Sequence, residues 1–507
     1  MAEYFICPSL ATTGNEGTVT NPFRATNIPW SNLEGGDILS FLEVFDGVSS
    51  YNEAMYIQQS GEVDNPITFR TATGESNFAT FDGDDIRPCI ITYGNNHLLI
   101  VNLATTQSNN FGINFETSNN IEINDCECYS NSIGMGANNG GGEIHSIKLA
   151  NNKNYLNANE GIRLNGGVNG YYLYDVLCEF NEVYENETGI RIYASATGAL
   201  NSKIIVDNNT IRDNTHTATT FGTADNRVGN NSISHNLIYG NGAAPEGENA
   251  NGLWVGNMSD TIIEHNKCYN NNTGNIDGMG IFLDYQHDIG SYDCTVRYNE
   301  CYGHTSNFSC VPFSGGDPQA NSAGIGICCG AHDNNIYFNL SYGNTVGIYV
   351  GGENSTANKI HHNTIWGNRI GIHDRCKTLP GTDYKNNIVF GNTLTGDGET
   401  FTRDLYREDS GLVEITEDYN CFPETPSFSN HVIGENSITQ DPLLYSNGSL
   451  QTDSPCLLTG LEIAGINFVG REGFFGTIYQ TPNIGADQTQ LNIYNEAKVW
   501  KDFIWDK

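Results

Sequence analysis

The chain has 507 residues and carries 59 acidic against 23 basic side chains, which gives a formal net charge of −36. Such a chain lacks the basic surface that nucleic acids and anionic membranes require, so we expect no nucleic-acid binding. No apolar run approaches the roughly 20 residues of a membrane-spanning helix, so we expect no membrane insertion.

Composition favours strands and turns over helices. Gly occurs 57 times, Tyr 26 times and Phe 23 times, and Asn is abundant. Aromatic side chains make up 11% of the chain, which argues against disorder. Residues of these types are typical of pleated sheets and tight turns, so the composition predicts an all-β protein.

The N-terminal residues predict a cap rather than a leader. The first residues lack the basic and apolar regions of a secretory signal peptide, so we expect either a leader removed beforehand or release from the cell by lysis. Short apolar runs at 38–41 and 66–70 are separated by glycines and prolines. We therefore assign residues 1–85 to an N-terminal cap and the first coils of a repeat.

A repeat of Asn, two residues, an aromatic residue, one residue and Asn marks the region 86–392. Asn236-Leu-Ile-Tyr-Gly-Asn241 is one copy. The first asparagines of successive copies stand at 181, 209, 236, 266, 299, 339, 363 and 387, so their spacing varies from 24 to 40. A minimum spacing of 24 residues, lengthened by a different number of residues in each copy, predicts a solenoid in which the additional residues lie in loops between the strands. Asn at a repeated corner tolerates left-handed torsions, and its amide can bond to the Asn of neighbouring coils.

A second block lies between most copies and consists of Gly followed by alternating apolar residues. It begins at Gly161, Gly189, Gly252, Gly280, Gly324, Gly347 and Gly371. A period of two predicts a strand with one buried face. Two or three such strands in each coil predict a parallel β-helix. A β-propeller is disfavoured because it needs four strands in about 40–45 residues.

The C-terminal part loses the repeat. We expect an excursion over residues 393–440, and the last coils with a C-terminal cap over 441–507. Trp500, Phe503, Ile504 and Trp505 form an apolar cluster near the end of the chain. The cluster is expected either to cap the last coil or to form an oligomer contact.

The fourteen cysteines are too sparse for a disulfide scaffold, and no matched CxxC pairs indicate zinc. We expect buried free thiols and no metal site among them. Cys328 and Cys329 are adjacent, so in a strand their side chains are expected to point to opposite faces.

Over nearly its whole length, the chain resembles the pectate-lyase-like superfamily of right-handed parallel β-helices. The residues that carry the resemblance are "GGD" and "NPITFR" in the first 70 residues, and "DPLL", "SPCL" and "NIGADQ" after residue 440. The resemblance implies a right-handed parallel β-helix with caps at both ends. The superfamily includes polysaccharide lyases, glycoside hydrolases, uronan epimerases and viral tailspikes, so the fold does not choose one activity.

Stacking the coils by their Gly blocks predicts an outward row of side chains. The residues expected to bind substrate there are Trp254, Phe282, Tyr349, Arg191, Tyr193, His373 and Arg375. Aromatic faces stack on sugar rings, and Arg pairs with carboxylate or sulfate. The longest insertions lie beside these coils and could form the walls of a groove. The alternative is that outward aromatic residues only stabilise the sheet.

Asp284 is the leading catalytic candidate. The segment Gly280-Ile-Phe-Leu-Asp284 resembles a segment of some β-helical glycosidases in which the acid is the nucleophile. Hydrolysis needs two carboxyl groups about 5–9.5 Å apart, and neighbouring coils are about 4.8 Å apart. We therefore predict that Asp284 pairs with Glu264, and His287 and Arg297 complete the catalytic candidates. The alternative is a solvated acid in an acidic protein.

A lyase is the other chemistry that the sequence leaves open. It would use a Lys, Arg, His or Tyr as base, and Ca²⁺ could neutralise the substrate's acid group. Asp277, Asp284, Asp288 and Asp293 could supply oxygen ligands to Ca²⁺. No ordered Asp spacing such as an EF-hand loop occurs, and we expect no required cofactor.

The leading interpretation is a tailspike-like virion appendage, a homotrimer that recognises and degrades a host surface glycan. We expect it on the virion surface or in the extracellular space. One alternative is a secreted bacterial polysaccharide lyase or glycoside hydrolase. A second alternative is a non-enzymatic structural or adhesive β-helix.

Overall fold

The computed structural model describes residues 1–8, 16–43, 50–138, 142–166, 172–194, 201–223, 229–242, 250–271, 278–284, 290–305, 322–351, 354–396, 399–402, 404–407, 413–423, 433–457, 459–461 and 484–486. Statements about the structure refer to these residues.

The chain winds into coils, and each regular coil places one strand in each of three sheets in a fixed order. One coil, for example, contributes Ile144–Ala150 to sheet 1, Lys153–Tyr155 to sheet 2 and Glu160–Gly166 to sheet 3. Strands of neighbouring coils pair in parallel. The predicted parallel β-helix is confirmed.

Sheet 1 contains sixteen described strands. In spatial order they are Phe23–Arg24, Glu3–Cys7, Ile38–Phe41, Ile67–Thr71, Leu98–Val101, Ile121–Asn124, Ile144–Ala150, Leu173–Glu179, Asn201–Asp207, Asn231–Ser234, Thr261–Glu264, Thr295–Arg297, Asn335–Tyr337, Lys359–His361, Asp383–Lys385 and Thr416–Asp418.

Sheets 2 and 3 contain thirteen described strands each. Those of sheet 2 are Ser50–Tyr51, Ala79–Asp82, Leu103–Thr106, Glu127–Tyr129, Lys153–Tyr155, Glu182–Tyr184, Thr210–Arg212, Leu237–Tyr239, Lys267–Tyr269, Glu300–Tyr302, Leu340–Tyr342, Thr364–Trp366 and Ile388–Phe390. Those of sheet 3 are Met55–Ile57, Ile90–Thr92, Phe111–Asn114, Ile133–Asn138, Glu160–Gly166, Thr188–Ala194, Thr219–Thr223, Leu253–Gly256, Ile281–Asp284, Ala323–Cys328, Val346–Gly351, Ile370–Asp374 and Leu405–Tyr406.

A few elements lie outside the three sheets. Ala25–Asn27 and Trp30–Asn32 are short 3₁₀ helices. In the predicted excursion, Thr393–Gly396 pairs antiparallel with Glu399–Thr402. Leu405–Tyr406 and Thr416–Asp418 then return to sheets 3 and 1, so this region still contributes to the coils.

The remaining divisions and both caps stay predictions. The apolar cluster of Trp500, Phe503, Ile504 and Trp505 lies outside the described residues. In the part of the chain that is described, no helix is long and apolar enough to cross a membrane.

The core is a continuous column of inward side chains from all three sheets. In sheet 1, for example, Ile263, Val296, Ile336 and Ile360 lie in register in successive coils, and all four are fully buried. β-Branched residues suit this environment because they pack well on a pleated surface. Each coil thus buries its apolar side chains against the next coil.

Two ladders of buried Asn connect the coils, one between sheets 1 and 2 and one between sheets 2 and 3. The backbone N–H of Asn236 donates to Asn266 Oδ1 at 3.0 Å, and the Asn236 side-chain amide donates to the same oxygen at 2.9 Å. The same arrangement joins Asn214 to Asn241 in the second ladder. The predicted bonding between asparagines of neighbouring coils is confirmed.

The left-handed torsions predicted for these asparagines belong instead to the residue before each of them. His235 and His265, which precede Asn236 and Asn266, have φ of 54° and 55°. The ladder asparagines, such as Asn236 and Asn266, are not among the residues with positive φ. The sequence analysis therefore placed the strain one residue too late.

The recurring Gly of the second block is required by close approach between coils. A Cβ on Gly252 would lie 2.6 Å from the carbonyl oxygen of Gly280, and one on Gly280 would lie 2.6 Å from that of Gly324. Gly therefore lets sheet 3 begin directly against the neighbouring coil.

Replacing Asn266 with Ala is expected to destabilise the protein by about 3 kcal/mol or more. The buried Asn236 N–H loses its acceptor, and the Ile233 carbonyl loses a donor at 2.8 Å. The measurement is the unfolding midpoint in guanidinium chloride. Thr210→Ala, on the outer face of sheet 2, is the control and is expected to shift the midpoint little. Equal shifts would contradict the role of the ladder.

His304 replaces Asn in the second ladder and makes stability depend on pH. Burial lowers the pKa of His304 from 6.5 to about 4, although hydrogen bonds to the Asn271 and Cys268 carbonyls act to raise it. The unfolded chain therefore takes up a proton between these values that the folded chain does not. Stability from this group is complete above pH 6.5 and is lost as the pH falls through about 4, by about 3 kcal/mol in total.

His304→Asn is expected to remove that share of the acid sensitivity. Unfolding midpoints of the wild type and of the variant are compared at about pH 7 and about pH 4.5. The drop between the two pH values should be smaller for the variant, which keeps His361 and His362 unchanged. An identical drop would show that His304 does not titrate as its burial requires.

Candidate functional site

The outward row predicted for sheet 3 lies in register along the sheet. Trp254 pairs with Phe282, and Gly326 pairs with Tyr349 in a later coil. Gly136 and Asn114 occupy the same register position in earlier coils, and from Arg163 onward the row is Arg163, Arg191, Thr220, Trp254, Phe282, Gly326, Tyr349, His373 and Tyr406.

From Arg163 onward, two members of this row, Thr220 and Tyr406, are missing from the row predicted from the sequence. Their coils carry Ala218 and Asp404 where the other coils carry the marker Gly. Counting from the preceding ladder Asn finds Thr220, because it follows Asn214 by six residues, as Arg163 follows Asn157.

The aromatic side chains of the row lie over glycines of the same sheet. A Cβ on Gly222 would lie 2.9 Å from the Trp254 ring, and one on Gly256 would overlap with that ring. Tyr349 covers Gly351 in the same way. The glycines of sheet 3 thus make room for rings that lie along the sheet instead of standing away from it.

These rings are outside the core but are not widely exposed. Trp254, Phe282 and Tyr349 belong to a cluster separate from the central core, together with Met279 and Tyr406. Their exposed fractions are 8%, 5% and 6%. The row faces outward as predicted, and most of each ring is covered.

Asp284 lies at the end of its strand beside the Trp254 ring. The Trp254 indole N–H donates to Asp284 Oδ2 at 2.9 Å. The backbone carbonyl of Asp284 accepts from the Ser291 N–H at 3.2 Å and from the Ser291 hydroxyl at 3.1 Å. Asp284 is half-buried. Trp254 holds its carboxylate, and Ser291 holds its backbone carbonyl.

The structure does not bring Asp284 and Glu264 together. Glu264 lies on sheet 1, whereas Asp284 lies on sheet 3. The Glu264 carboxylate accepts from Arg297 Nε at 2.6 Å, and Arg297 Nη1 lies 3.1 Å from the Tyr337 hydroxyl. Glu264 and Arg297 therefore form an ion pair on a different face. His287 lies outside the described residues.

A second titratable cluster lies on sheet 1 near this ion pair. His235 Nδ1 lies 2.9 Å from Asp207 Oδ1, and the hydrogen bond to Asp207 raises the pKa of His235. The His235 and His265 rings are stacked 5.0 Å apart, and burial lowers the pKa of His265. The Asp207–His235 pair was not predicted from the sequence, because its members are on different coils.

Basic side chains lie at one end of the row. Arg163 and Arg191 both bond to the buried Glu160 carboxylate, Arg191 at 3.4 Å. The Arg191 guanidinium lies 5.5 Å from the centre of the Tyr193 ring. Two arginines sharing one carboxylate leave a local positive charge on an otherwise acidic protein.

The other end of the row combines an arginine, a histidine and a tyrosine. Arg375 hydrogen-bonds to Tyr349, whose pKa is raised by burial. The His373 ring lies between Tyr349 and Tyr406, at 5.5 Å and 5.2 Å, and is tilted to both. The structure therefore brings the predicted residues His373 and Arg375 beside Tyr349.

Sheet 2 carries a different kind of aromatic row. Tyr239, Tyr269, Tyr302 and Tyr342 stack face to face at 4.9–5.0 Å, and Trp366 continues the stack at 4.4 Å. Because the faces of these rings contact the neighbouring rings, the rings are exposed to solvent mainly at their edges. This row stabilises its sheet, as the alternative in the sequence analysis proposed for aromatic ladders.

Among the described residues, no group of three or more His, Cys, Asp or Glu side chains is arranged to hold a metal ion. Two of the four predicted Ca²⁺ ligands, Asp277 and Asp288, lie outside those residues. Whether Ca²⁺ binds stays a prediction.

Comparisons with known proteins agree on the fold. Residues 147–317 match the family model described as "Right handed beta helix region". No curated protein matches the sequence.

Three solved structures illustrate the likeness. A rhamnogalacturonan lyase is 13% identical with a TM-score of 0.42, over 59% of this chain and 82% of that one. Pectate lyase Pel9A is 10% identical with a TM-score of 0.39, over 96% of each chain. The Dettilon tailspike protein is 14% identical with a TM-score of 0.37, over 62% of this chain and 65% of that one. These likenesses concern the fold alone.

Gly256→Ala is expected to displace the Trp254 ring and to lower stability by about 1–3 kcal/mol, because the new methyl group overlaps with the ring. The measurement is a double-mutant cycle with Trp254→Ala, which removes the ring. Gly256→Ala should cost much less in that background. Equal costs in both backgrounds would show that the ring does not lie over Gly256.

Proposed function

Because the chain is a right-handed parallel β-helix, with a row of aromatic side chains along the outer face of sheet 3, we propose that it binds a polysaccharide along this face. We further propose that Asp284 takes part in cleaving the bound polysaccharide. The observation that carries the proposal is the contact between Trp254 and Asp284, which joins a ring of the row to a carboxylate.

The arrangement of the rings supports sugar binding. In sheet 3 the Trp254 and Tyr349 rings lie over glycines along the outer face of the sheet, and these residues are 8% and 6% exposed. Trp254 and Tyr349 are three coils apart, which is about 14 Å at 4.8 Å for each coil. A row of this length suits a chain of sugars better than a single ring.

The chemistry supports a role for Asp284 as nucleophile or base. A glycoside hydrolase uses one carboxylate to attack the sugar or to activate water, and a second acid to protonate the leaving oxygen. The hydrogen bond from Trp254 fixes Asp284 Oδ2. Glu264 is not the second acid, because it is paired with Arg297 on sheet 1. His287, three residues after Asp284, stays a predicted catalytic residue.

The finer assignment that we propose is a homotrimeric, tailspike-like virion appendage that degrades a host surface glycan. The alternative is a secreted polysaccharide lyase or glycoside hydrolase that acts outside the cell. Native mass spectrometry separates the two, because the first requires a trimer and the second is compatible with a monomer.

A structural or adhesive β-helix is the second candidate function. The observation that favours it is the 5–8% exposure of Trp254, Phe282 and Tyr349, which limits access to the rings. This candidate requires that no polysaccharide is cleaved.

Asp284→Asn is expected to lower polysaccharide cleavage by about 100-fold or more, because an amide cannot act as nucleophile or base. Reducing ends and unsaturated products are measured on a panel of neutral and acidic polysaccharides. Reducing ends alone indicate hydrolysis, and unsaturated products indicate a lyase. Asp213→Asn, on sheet 2, is the matched control and should keep full activity.

Binding is tested separately by affinity electrophoresis in gels that contain the cleaved polysaccharide. Trp254→Ala should lose retardation, whereas Tyr269→Ala, in the stacked row of sheet 2, should keep it. Full activity of Asp284→Asn would remove this residue from the site. If the wild type neither binds nor cleaves any member of the panel, the result contradicts the proposed enzyme and supports the structural candidate.

A further inference from the structure

Cys328 and Cys329 differ from the other described cysteines in their exposure. The eleven others are buried, whereas these two are partly exposed. Their Sγ atoms lie 3.1 Å apart. The sequence analysis expected their side chains to point to opposite faces of a strand, and this expectation is wrong.

The reason is that the strand ends between them. Ala323–Cys328 is extended, but Cys329 has a left-handed φ of 54°, which turns its side chain back toward Cys328. The Cys329 N–H donates to the Gly351 carbonyl at 3.1 Å, and the Ala331 N–H donates to the Cys328 carbonyl at 3.1 Å. The neighbouring coil and the turn therefore hold the two thiols face to face.

The pair lies at the candidate site. Cys328 follows Asp284 in the same outward column and packs against the cluster that contains Tyr349. The pKa of the Cys328 thiol is raised by its hydrogen bond to Cys329, by burial and by the negative charge of Asp284. Reaction through the Cys328 thiolate is therefore slow at neutral pH and faster in alkaline solution.

We propose that Cys328 and Cys329 form a reversible vicinal disulfide when the protein meets a low-molecular-weight disulfide such as oxidised glutathione. One protein thiolate attacks the glutathione disulfide and releases one reduced glutathione. The second protein thiol then attacks the mixed disulfide and releases another. Two protein thiols lose two protons and two electrons, and one glutathione disulfide takes them up and becomes two thiols.

Geometry determines the character of this bond. Consecutive Cα atoms are about 3.8 Å apart, which is below the range of about 4.4–6.8 Å of most disulfides. The bond is therefore strained, and strained, exposed disulfides are readily reduced. Cys268 and Cys301 also lie side by side in neighbouring coils, but both are buried, so a dissolved oxidant does not reach them.

The test uses the full chain, equilibrated with excess oxidised glutathione in mildly alkaline buffer. After acid quenching and alkylation, the peptide with both cysteines should be two hydrogens lighter and unalkylated at both positions. Fragment ions should be missing between Cys328 and Cys329, because the ring joins them. A brief treatment with reduced glutathione should restore two alkylated cysteines.

Cys328→Ser and Cys329→Ser are the matched controls, and circular dichroism checks that each variant is folded. Each should instead carry one glutathione on the remaining cysteine. The proposal is overturned if the wild-type peptide stays fully alkylated, or if it carries glutathione instead of an internal bond. The result does not depend on polysaccharide cleavage, so it stands or falls separately from the proposed function.

Discussion

The buried Asn ladders are the constraint on which the rest of the structure depends. At each corner the chain leaves one sheet and enters the next, and backbone N–H groups there would otherwise be buried without acceptors. The side-chain oxygen of Asn266 accepts from the Asn236 backbone, and its own amide donates to the Asn299 oxygen at 3.0 Å. Each Asn thus accepts hydrogen bonds from the coil before it, and its own side chain is oriented by a hydrogen bond to the coil after it. A slip by one residue would leave a whole ladder unpaired, so the coils are held in register.

Register has a consequence for the outer faces. Residues that occupy the same place in successive coils lie about 4.8 Å apart whatever their chemistry. In sheet 2 this spacing suits aromatic rings, and Tyr239, Tyr269 and Tyr302 stack with nearly parallel planes. In sheet 3, Thr220 and Gly326 interrupt the row, so the rings of Trp254 and Phe282 lie over backbone instead. The same spacing between coils therefore gives a stack of aromatic rings on sheet 2 and separate rings on sheet 3.

The same rule explains which parts of the molecule the sequence predicts. The Asn period and the Gly blocks predicted the coils, the parallel pairing and most of the outward row. They did so because Asn recurs at the corners between sheets and Gly recurs at the start of the sheet 3 strands. The row was incomplete at Thr220, where Ala218 replaces the marker Gly. Asp284 and Glu264 were paired wrongly because sequence spacing does not say which sheets two residues occupy. The left-handed φ of Cys329 was missed because the end of a strand has no sequence marker here.

The ends of the sheet 3 strands are where the repeat places the fewest demands on residue type. Inward columns carry mainly apolar residues and the ladders carry mainly Asn, with exceptions such as His304, since an unsuitable side chain disturbs two neighbouring coils. The column that includes Gly256, Asp284, Cys328 and Gly351 repeats no such pattern, and each of these residues is the last of its sheet 3 strand. Side chains there change from coil to coil without cost to the core. Reactive groups such as a carboxylate and a pair of thiols therefore occur at this edge, beside rings whose positions the repeat still fixes.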